Sequence, residues 1–332
     1  MNESQSITPN GDERVGLNPT RVAIQIIGFA VGIALLAWCV IQALRSGDFE
    51  RLRYAPPGLI AALMGCTAVT VVVNGTIFWM LIRPVVRLDF WHIQALNGVV
   101  NLLNYAPIRL GMLTRIAHHR KVDRVPLFHL IAWYGAIGVL TLVTLAALLL
   151  ATLLRPAVDW IWGMLLLVIL ACAAAAVVWV ARHHLMTARL RGAERMLDHP
   201  LQVWACVGLR LVDMTAYAGR LYVAFAILGI ELELQEIVYL SIVSMIASLS
   251  PAGSLGIREW VVAMLAPMLA GGAGTDDAAL DALRWQAVLI DRAGEAIVFV
   301  PMGIVCVVWM VHTWRRTSRA DLERPVEAMT AE

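Results

Sequence analysis

The dominant pattern in the chain is a series of long apolar blocks separated by short polar segments. Each of six blocks is long enough to cross about 30 Å of hydrocarbon as an α-helix. They are Val22–Leu44, Pro57–Ile82, Leu127–Leu154, Trp160–Ala181, Pro200–Ile230 and Trp285–His312. Main-chain groups in lipid must bond within their own segment, and no alternating strand pattern competes with the helical one. The pattern therefore predicts an all-α, polytopic helical membrane protein.

Two further apolar stretches are interrupted. Phe90–Tyr105 is short, carries several amide side chains, and is followed by the break Pro107–Gly111. Ile237–Leu269 is broken in the middle by Ser250–Gly256. Proline and glycine at these places end helices. We therefore predict about six full spans and two broken, re-entrant hairpins.

The composition agrees with a membrane location. Hydrophobic residues make up 60% of the chain and charged residues only 15%, whereas soluble domains carry about 25% charged residues. Residues 1–21 are polar and are predicted to form a disordered N-terminal tail. Residues 22–312 are predicted to form a single integral membrane domain, and residues 313–332 are predicted to form a cytoplasmic C-terminal tail. The five cysteines lie inside apolar blocks without paired spacing, so neither disulfides nor metal ligands are expected.

Loop charges predict the orientation, because cytoplasmic loops are enriched in Lys and Arg. The basic segments Arg109–Arg124, Arg182–Arg195 and Arg315–Arg319 belong inside on this rule, and the acidic loops Glu231–Glu236 and Asp276–Asp281 belong outside. Ile237–Leu269 must then leave and re-enter from the outer side. The C-terminus is predicted to be cytoplasmic.

The orientation of the first half is left open. If Phe90–Tyr105 re-enters from the inside, the halves 22–154 and 160–312 form an inverted repeat with a cytoplasmic N-terminus, a layout common in transporters. If it crosses fully, the N-terminus lies outside. Arg83 and Arg87 favour the repeat, and the basic loop Arg45–Arg53 favours the full crossing.

Ionisable and helix-breaking residues within the membrane domain are the candidates for function, since a charge at the bilayer centre costs about 2.5 kcal/mol or more. The predicted substrate pathway consists of Pro107, Arg109, Gly111, Arg115, Asp213, Pro251, Gly253, Gly256, Arg258, Glu259, Asp291, Arg292 and Glu295. A helix that begins inside the membrane points free N–H groups into it. With an arginine beside it, such an end suits an anionic head group, above all a phosphate.

Structural roles remain as alternatives. Arg109 and Arg115 have the position of ordinary interface charges, and Arg258 and Glu259 are candidates for a structural ion pair, since buried charges must pair. On the helix that follows Pro200, Asp213 has the right spacing to pair with either Arg210 or Arg220.

No cofactor is expected. The adjacent pairs His118–His119 and His183–His184 point to different faces of a helix, and no His-x-x-x-His spacing occurs, so the sequence predicts no metal site. There is no phosphate-binding glycine loop and no catalytic constellation. A nucleotide-driven pump or an enzyme is therefore not expected from this chain alone.

Three places in the chain resemble one known family. They are Asn104-Tyr-Ala-Pro107-Ile-Arg-Leu-Gly111, Ser250-Pro-Ala-Gly-Ser-Leu-Gly256-Ile-Arg-Glu259, and Asp291-Arg292. The order of these features is similar to the membrane region of the lysylphosphatidylglycerol synthase/flippase-like membrane proteins, from about residue 20 to residue 312. One departure is Ala132-Trp133-Tyr134, which stands where members often carry an acidic-Arg pair.

The resemblance implies a role with lipids. The chain has no counterpart of the soluble aminoacyl-transferase domain of bifunctional members, so it implies movement of lipid rather than synthesis. The expected function is a flippase-like lipid translocase in a bacterial cytoplasmic membrane. Its expected substrate is a phospholipid or an isoprenoid-linked or hopanoid-type lipid, and no nucleic acid is expected as a partner. The alternatives are an integral membrane lipid-modifying enzyme, an accessory subunit that binds lipid-synthesis enzymes, and a scaffold without a pathway.

Overall fold

The computed structural model describes residues 55–105, 110–183, 192–248, 257–269 and 278–322, together with Ala34, Ala37, Trp38 and Ile41. Within these ranges the chain forms nine α-helices and no strand. They are α1 (Pro57–Ile82), α2 (Phe90–Leu103), α3 (Leu110–Lys121), α4 (Leu127–Leu154), α5 (Trp160–Arg182), α6 (Pro200–Ile227), α7 (Leu234–Ser248), α8 (Ile257–Leu269) and α9 (Ala278–Leu322), with a short 3-10 turn at Ala193–Met196. The predicted all-α fold class is confirmed.

Four of the described helices are long and apolar enough to cross a membrane. They are α1, α4, α5 and the Trp285–His312 portion of α9. The first two have the bounds predicted from the apolar blocks. Helix α6 has comparable length, but Arg210, Asp213 and Arg220 interrupt its apolar character. The predicted first span, Val22–Leu44, lies almost wholly outside the described residues.

Local signals explain where the predicted blocks begin. Helices α1 and α6 start with a proline. Proline has no N–H, and it loses nothing in the first turn because N–H groups there have no partner within the helix. Helix α5 starts after Asp159, whose Oδ1 accepts a hydrogen bond from the Trp162 N–H at 2.9 Å. The hydrogen bond from the Arg155 guanidinium and, to a lesser extent, the one from the Trp162 N–H hold the pKa of the Asp159 carboxyl well below its usual range. The turn between α4 and α5 is thus fixed by a charged residue at each side.

Both predicted breaks separate two helices that pack against each other. Helix α2 packs on α3 across the first break, and α7 packs on α8 across the second. This pairing is what a broken hairpin requires. The break residues 106–109 and 249–256 are outside the described ranges, and the inverted repeat and the sidedness stay predictions.

The helices that carry the functional candidates pack closely around α9. Helix α9 contacts α1, α2, α6 and α8, and α6 runs along α1. A Cβ on Gly98 of α2 would lie 2.6 Å from Cys306 Sγ, and one on Gly303 of α9 would lie 2.5 Å from Leu102 Cβ. Small residues allow such close approach between membrane helices. Helices α4 and α5 pack together on another side, against α6.

A candidate head-group site among the helices

Asp291 on α9 is the centre of a buried group of charges. Its Oδ1 accepts a hydrogen bond from Arg220 Nε of α6 at 2.8 Å, and its Oδ2 accepts one from Arg220 Nη2 at 3.1 Å. The same Oδ2 accepts from Arg258 Nη2 of α8 at 2.7 Å. One carboxylate therefore joins arginines from two other helices, and its pair with Arg220 has the bidentate geometry that favours strong charge-assisted bonds.

One turn further along α9, Glu295 contacts the two arginines that bind Asp291 and also Arg292. Its Oε2 accepts from Arg292 Nη1 at 2.6 Å and from Arg258 Nη2 at 3.3 Å, and it lies 3.7 Å from Arg220 Nη2. Glu259 Oε1 completes the group, 3.3 Å from Arg292 Nε and 3.5 Å from Arg258 Nε. We call Arg220, Arg258, Glu259, Asp291, Arg292 and Glu295 the ion-pair network.

The ion-pair network is buried and balanced in charge. Its three arginines and three carboxylates give a formal net charge of zero, and each of the six side chains is at most 13% exposed. Desolvation of charges inside a protein is expensive, and mutual pairing offsets it. The balance explains how a membrane segment can hold three ionisable residues within Asp291–Glu295.

A polar cavity of ≈ 600 Å³ lies beside the ion-pair network, with Arg220, Arg258, Arg292 and Glu295 in its wall. The facing walls carry Asn74 of α1, Asn101 of α2 and Thr141 of α4, among other polar side chains. Hydrogen-bonding groups of both kinds therefore surround a space within the helical bundle. The volume is in the range that binds small molecules or a lipid head group.

Two further pairs shape this cavity. Arg210 Nη1 of α6 donates to Asp213 Oδ2 at 2.8 Å, which confirms one of the two pairings considered for Asp213. The hydroxyls of Tyr217 and Ser244 hydrogen bond to each other and join α6 to α7. Buried polar groups that bond in this way hold their helices in fixed register.

An apolar pocket of ≈ 320 Å³ lies against the same pair of helices. It is lined by Trp162, Leu148, Met214 and others, and Met245 of α7 lines both this pocket and the polar cavity. The flexible thioether side chain of methionine adapts to irregular partners. A polar space and an apolar space thus share one adaptable side chain in their walls.

The structure brings six of the predicted pathway residues to the polar cavity or its ion-pair network. They are Asp213, Arg258, Glu259, Asp291, Arg292 and Glu295. Five predicted residues at the helix breaks lie outside the described ranges: Pro107, Arg109, Pro251, Gly253 and Gly256.

Arg115 and Gly111 lie on α3, apart from the ion-pair network. Arg115 Nη2 donates to Asn97 Oδ1 at 2.6 Å, and its guanidinium lies 3.6 Å from the centroid of the Phe78 ring. Arg115 is only 2% exposed, so it is not a solvent-facing interface charge as the alternative supposed. Gly111 packs so closely that a Cβ there would lie 2.5 Å from the Val100 carbonyl oxygen.

Arg220, Tyr217 and Tyr105 were missing from the predicted pathway. Arg220 was considered as a partner for Asp213, but its hydrogen bonds go to Asp291, 71 residues away. The guanidinium of Arg292 lies 5.0 Å from the centroid of the Tyr105 ring. A charge inside an apolar helix was the available signal for Arg220, whereas nothing in the local pattern distinguishes the two tyrosines from ordinary packing residues.

The family model described as the lysylphosphatidylglycerol synthase TM region matches residues 25–290. The chain belongs to this family. The resemblance predicted from the three sequence motifs is therefore confirmed, and it supports a role connected with membrane lipids. No curated protein and no solved structure matches the chain. The matched part covers α1 to α8 and the start of α9, and it ends one residue before Asp291.

Proposed function

We propose that the protein is a lipid translocase that moves a lipid with a polar, phosphate-bearing head group between the two leaflets. The observation that carries the proposal is the adjacency of a polar cavity and an apolar pocket inside one helical bundle, with Met245 lining both. A lipid has a polar end and apolar chains joined covalently. Neighbouring spaces of opposite polarity fit that chemistry.

The ion-pair network provides the contacts for the head group. Arg258 Nη2 is shared between Asp291 at 2.7 Å and Glu295 at 3.3 Å, so the longer of these bonds is available for exchange. Guanidinium groups bind phosphate oxygens in the same forked geometry as carboxylates. A phosphate that enters the cavity would replace a carboxylate contact of Arg258.

The charge balance narrows the kind of head group. A purely anionic group would leave the displaced carboxylate without its partner, which is costly in a buried site. A head group that combines a phosphate with an amine or with several hydroxyl donors satisfies both signs. The proposed substrate is therefore a lipid with an anionic phosphate and a hydrogen-bond-donating or cationic part. With no nucleotide-binding motif in the sequence, lipid would move down its own gradient or by coupling to an ion gradient.

Reconstitution tests the proposal. The full chain is placed in vesicles with a trace of fluorescent phosphatidylethanolamine or phosphatidylglycerol, and reduction of outer-leaflet fluorophore by dithionite reports exchange between leaflets. Wild-type protein should raise the exchange rate above that of protein-free vesicles. Arg258→Ala should lower the increase by about tenfold or more, since a hydrogen bond to a charged group is worth about 1.5–3 kcal/mol.

The matched control is Arg155→Ala, which removes an arginine of the exposed turn between α4 and α5. It should exchange lipid at the wild-type rate. Folded wild-type protein that leaves both probes at the protein-free rate would contradict the translocase. A lipid inventory of cells lacking the protein then separates the alternatives, because complete loss of one lipid species points to an enzyme or an accessory subunit.

A further inference from the structure

Two histidines from different helices meet at one end of the α2–α3 pair. His92 lies in the first turn of α2, and His118 lies in the last turn of α3. Their Nε2 atoms are 2.8 Å apart. Asp123, two residues beyond α3, brings a carboxylate oxygen so close that the ligand atoms of all three residues lie within 4.8 Å of one another. Two segments of the chain, the start of α2 and the end of α3 with the residues that follow it, thus bring three metal-binding residues together.

The donor set is one that a first-row divalent cation prefers. Imidazole and carboxylate are usual zinc ligands, with bonds of about 2.0–2.2 Å. In a tetrahedral site two such ligand atoms are separated by about 3.3 Å. The His92 and His118 Nε2 atoms need to move apart by about half an ångström to reach that separation, which side-chain rotation supplies. Three protein ligands leave a fourth position for water.

A neighbouring histidine orients the carboxylate. His119 Nδ1 lies 2.6 Å from Asp123 Oδ2, and because a carboxylate accepts, the nitrogen carries the donated proton. The second carboxylate oxygen, Asp123 Oδ1, takes no part in this bond. Carboxylate–histidine pairs around metal ligands hold them in position. His119 is fully buried, whereas His92, His118 and Asp123 are half-buried and open to ions.

Other anchors hold the first ligand in place. Asp89 Oδ2 accepts a hydrogen bond from the His92 N–H at 2.8 Å and fixes the start of α2.

The basic side chains nearby, Arg120, Lys121 and Arg124, are exposed to solvent, so their repulsion of a cation is screened. Neutral imidazole nitrogens need no opposing charge to bind a divalent ion.

We propose that His92, His118 and Asp123 form a zinc-type divalent metal site that ties the start of α2 to the end of α3. The site is defined by the geometry of this cluster and is independent of the proposed lipid transport. It departs from the sequence analysis, which predicted no metal site because it considered His118 only with its neighbour in the chain. The fold supplies the second histidine from another helix.

Metal content tests the proposal directly. The full chain is purified in detergent with an affinity tag that contains no histidine, stripped with a chelator, dialysed against Zn²⁺ and assayed by mass spectrometry of the metal. The wild type should hold one zinc per chain. His118→Ala and His92→Ala should lose most of it, and His119→Ala should bind zinc about 10- to 100-fold more weakly. The matched control His199→Ala removes an exposed histidine before α6 and should retain the metal.

A spectroscopic readout and one further variant make the test decisive. Co²⁺ in place of Zn²⁺ should give the intense visible bands of a tetrahedral nitrogen–oxygen site in the wild type, but not in His118→Ala. If the alanine variants do not fold, Asp123→Asn preserves the side-chain shape and should still weaken binding. A wild type without bound zinc, or variants of His92 and His118 that both retain it, would overturn the proposal and leave the contact as a hydrogen bond between two imidazoles.

Discussion

Replacing Asp291 by asparagine tests whether charge balance holds the ion-pair network together. The wild-type carboxylate accepts two hydrogen bonds from Arg220 and one of 2.7 Å from Arg258. Asparagine keeps the size and one acceptor oxygen but removes the charge. The network would then hold three arginines against two carboxylates, with a net charge of +1 in a site where Asp291 is 1% exposed.

The expected loss is large. Removing one partner of a buried ion pair destabilises proteins by about 3–5 kcal/mol, because the remaining charge stays buried. Since the amide retains one acceptor, we expect Asp291→Asn to lower the free energy of unfolding by about 3 kcal/mol, the lower end of that range. Adding Arg220→Met restores the balance to two against two. The double variant should therefore lose less stability than Asp291→Asn alone.

Denaturant unfolding of the detergent-purified protein, followed by tryptophan fluorescence, measures both effects. The control is Glu231→Gln in an exposed loop, which should change the free energy of unfolding by less than about 0.5 kcal/mol. Wild-type stability of Asp291→Asn would refute the reasoning. So would a double variant whose loss equals the two single losses added together, since independent sites add and coupled charges do not.

Three other predictions concern packing, a buried hydrogen bond and orientation. Gly294→Ala should lower the melting temperature, because its Cβ would lie 2.4 Å from Leu63 Cδ2 and overpacking of this kind costs about 1–3 kcal/mol. In the control Gly65→Ala the new Cβ meets nothing within 4 Å, so the protein should not be destabilised. Trp133→Phe should lower the free energy of unfolding by about 1–3 kcal/mol, because the fully buried indole donates its N–H to a carbonyl of α1 at 3.0 Å. Unchanged stability in denaturant unfolding would contradict this. In a cysteine-free background, Glu233→Cys should react in intact cells with a membrane-impermeant thiol reagent, since its acidic loop is predicted to lie outside; labelling only after lysis would contradict the orientation.

The spans were predictable because a membrane helix carries its signal in consecutive residues. The bounds of α1 and α4 agree with the apolar blocks, and the proline that opens α1 marks its start. Arg210 and Asp213 are three residues apart on one helix, so their pairing also followed from local spacing. Each of these features depends on a single element.

Contacts between elements were not predictable in the same way. Arg220 and Asp291 are joined across α6 and α9, and His92 meets His118 only because α2 packs on α3. Helical periodicity says which face a residue occupies but not which helix covers that face. The sequence identified charged residues that needed partners, and only the packing assigned those partners.

The glycine contacts between α2 and α9 have a mechanical consequence. Where Gly98 faces Cys306 and Gly303 faces Leu102, any side chain added to either glycine would clash with the other helix. A substitution at either position would therefore press on α9, the helix that carries Asp291 and Glu295. On α4 the situation differs, since a Cβ on Gly138, in the cavity wall, would meet nothing within 4 Å. A methyl group at Gly138 would therefore take up space in the cavity wall without pressing on another helix, so the two kinds of glycine separate the effect of filling the cavity from the effect of displacing α9.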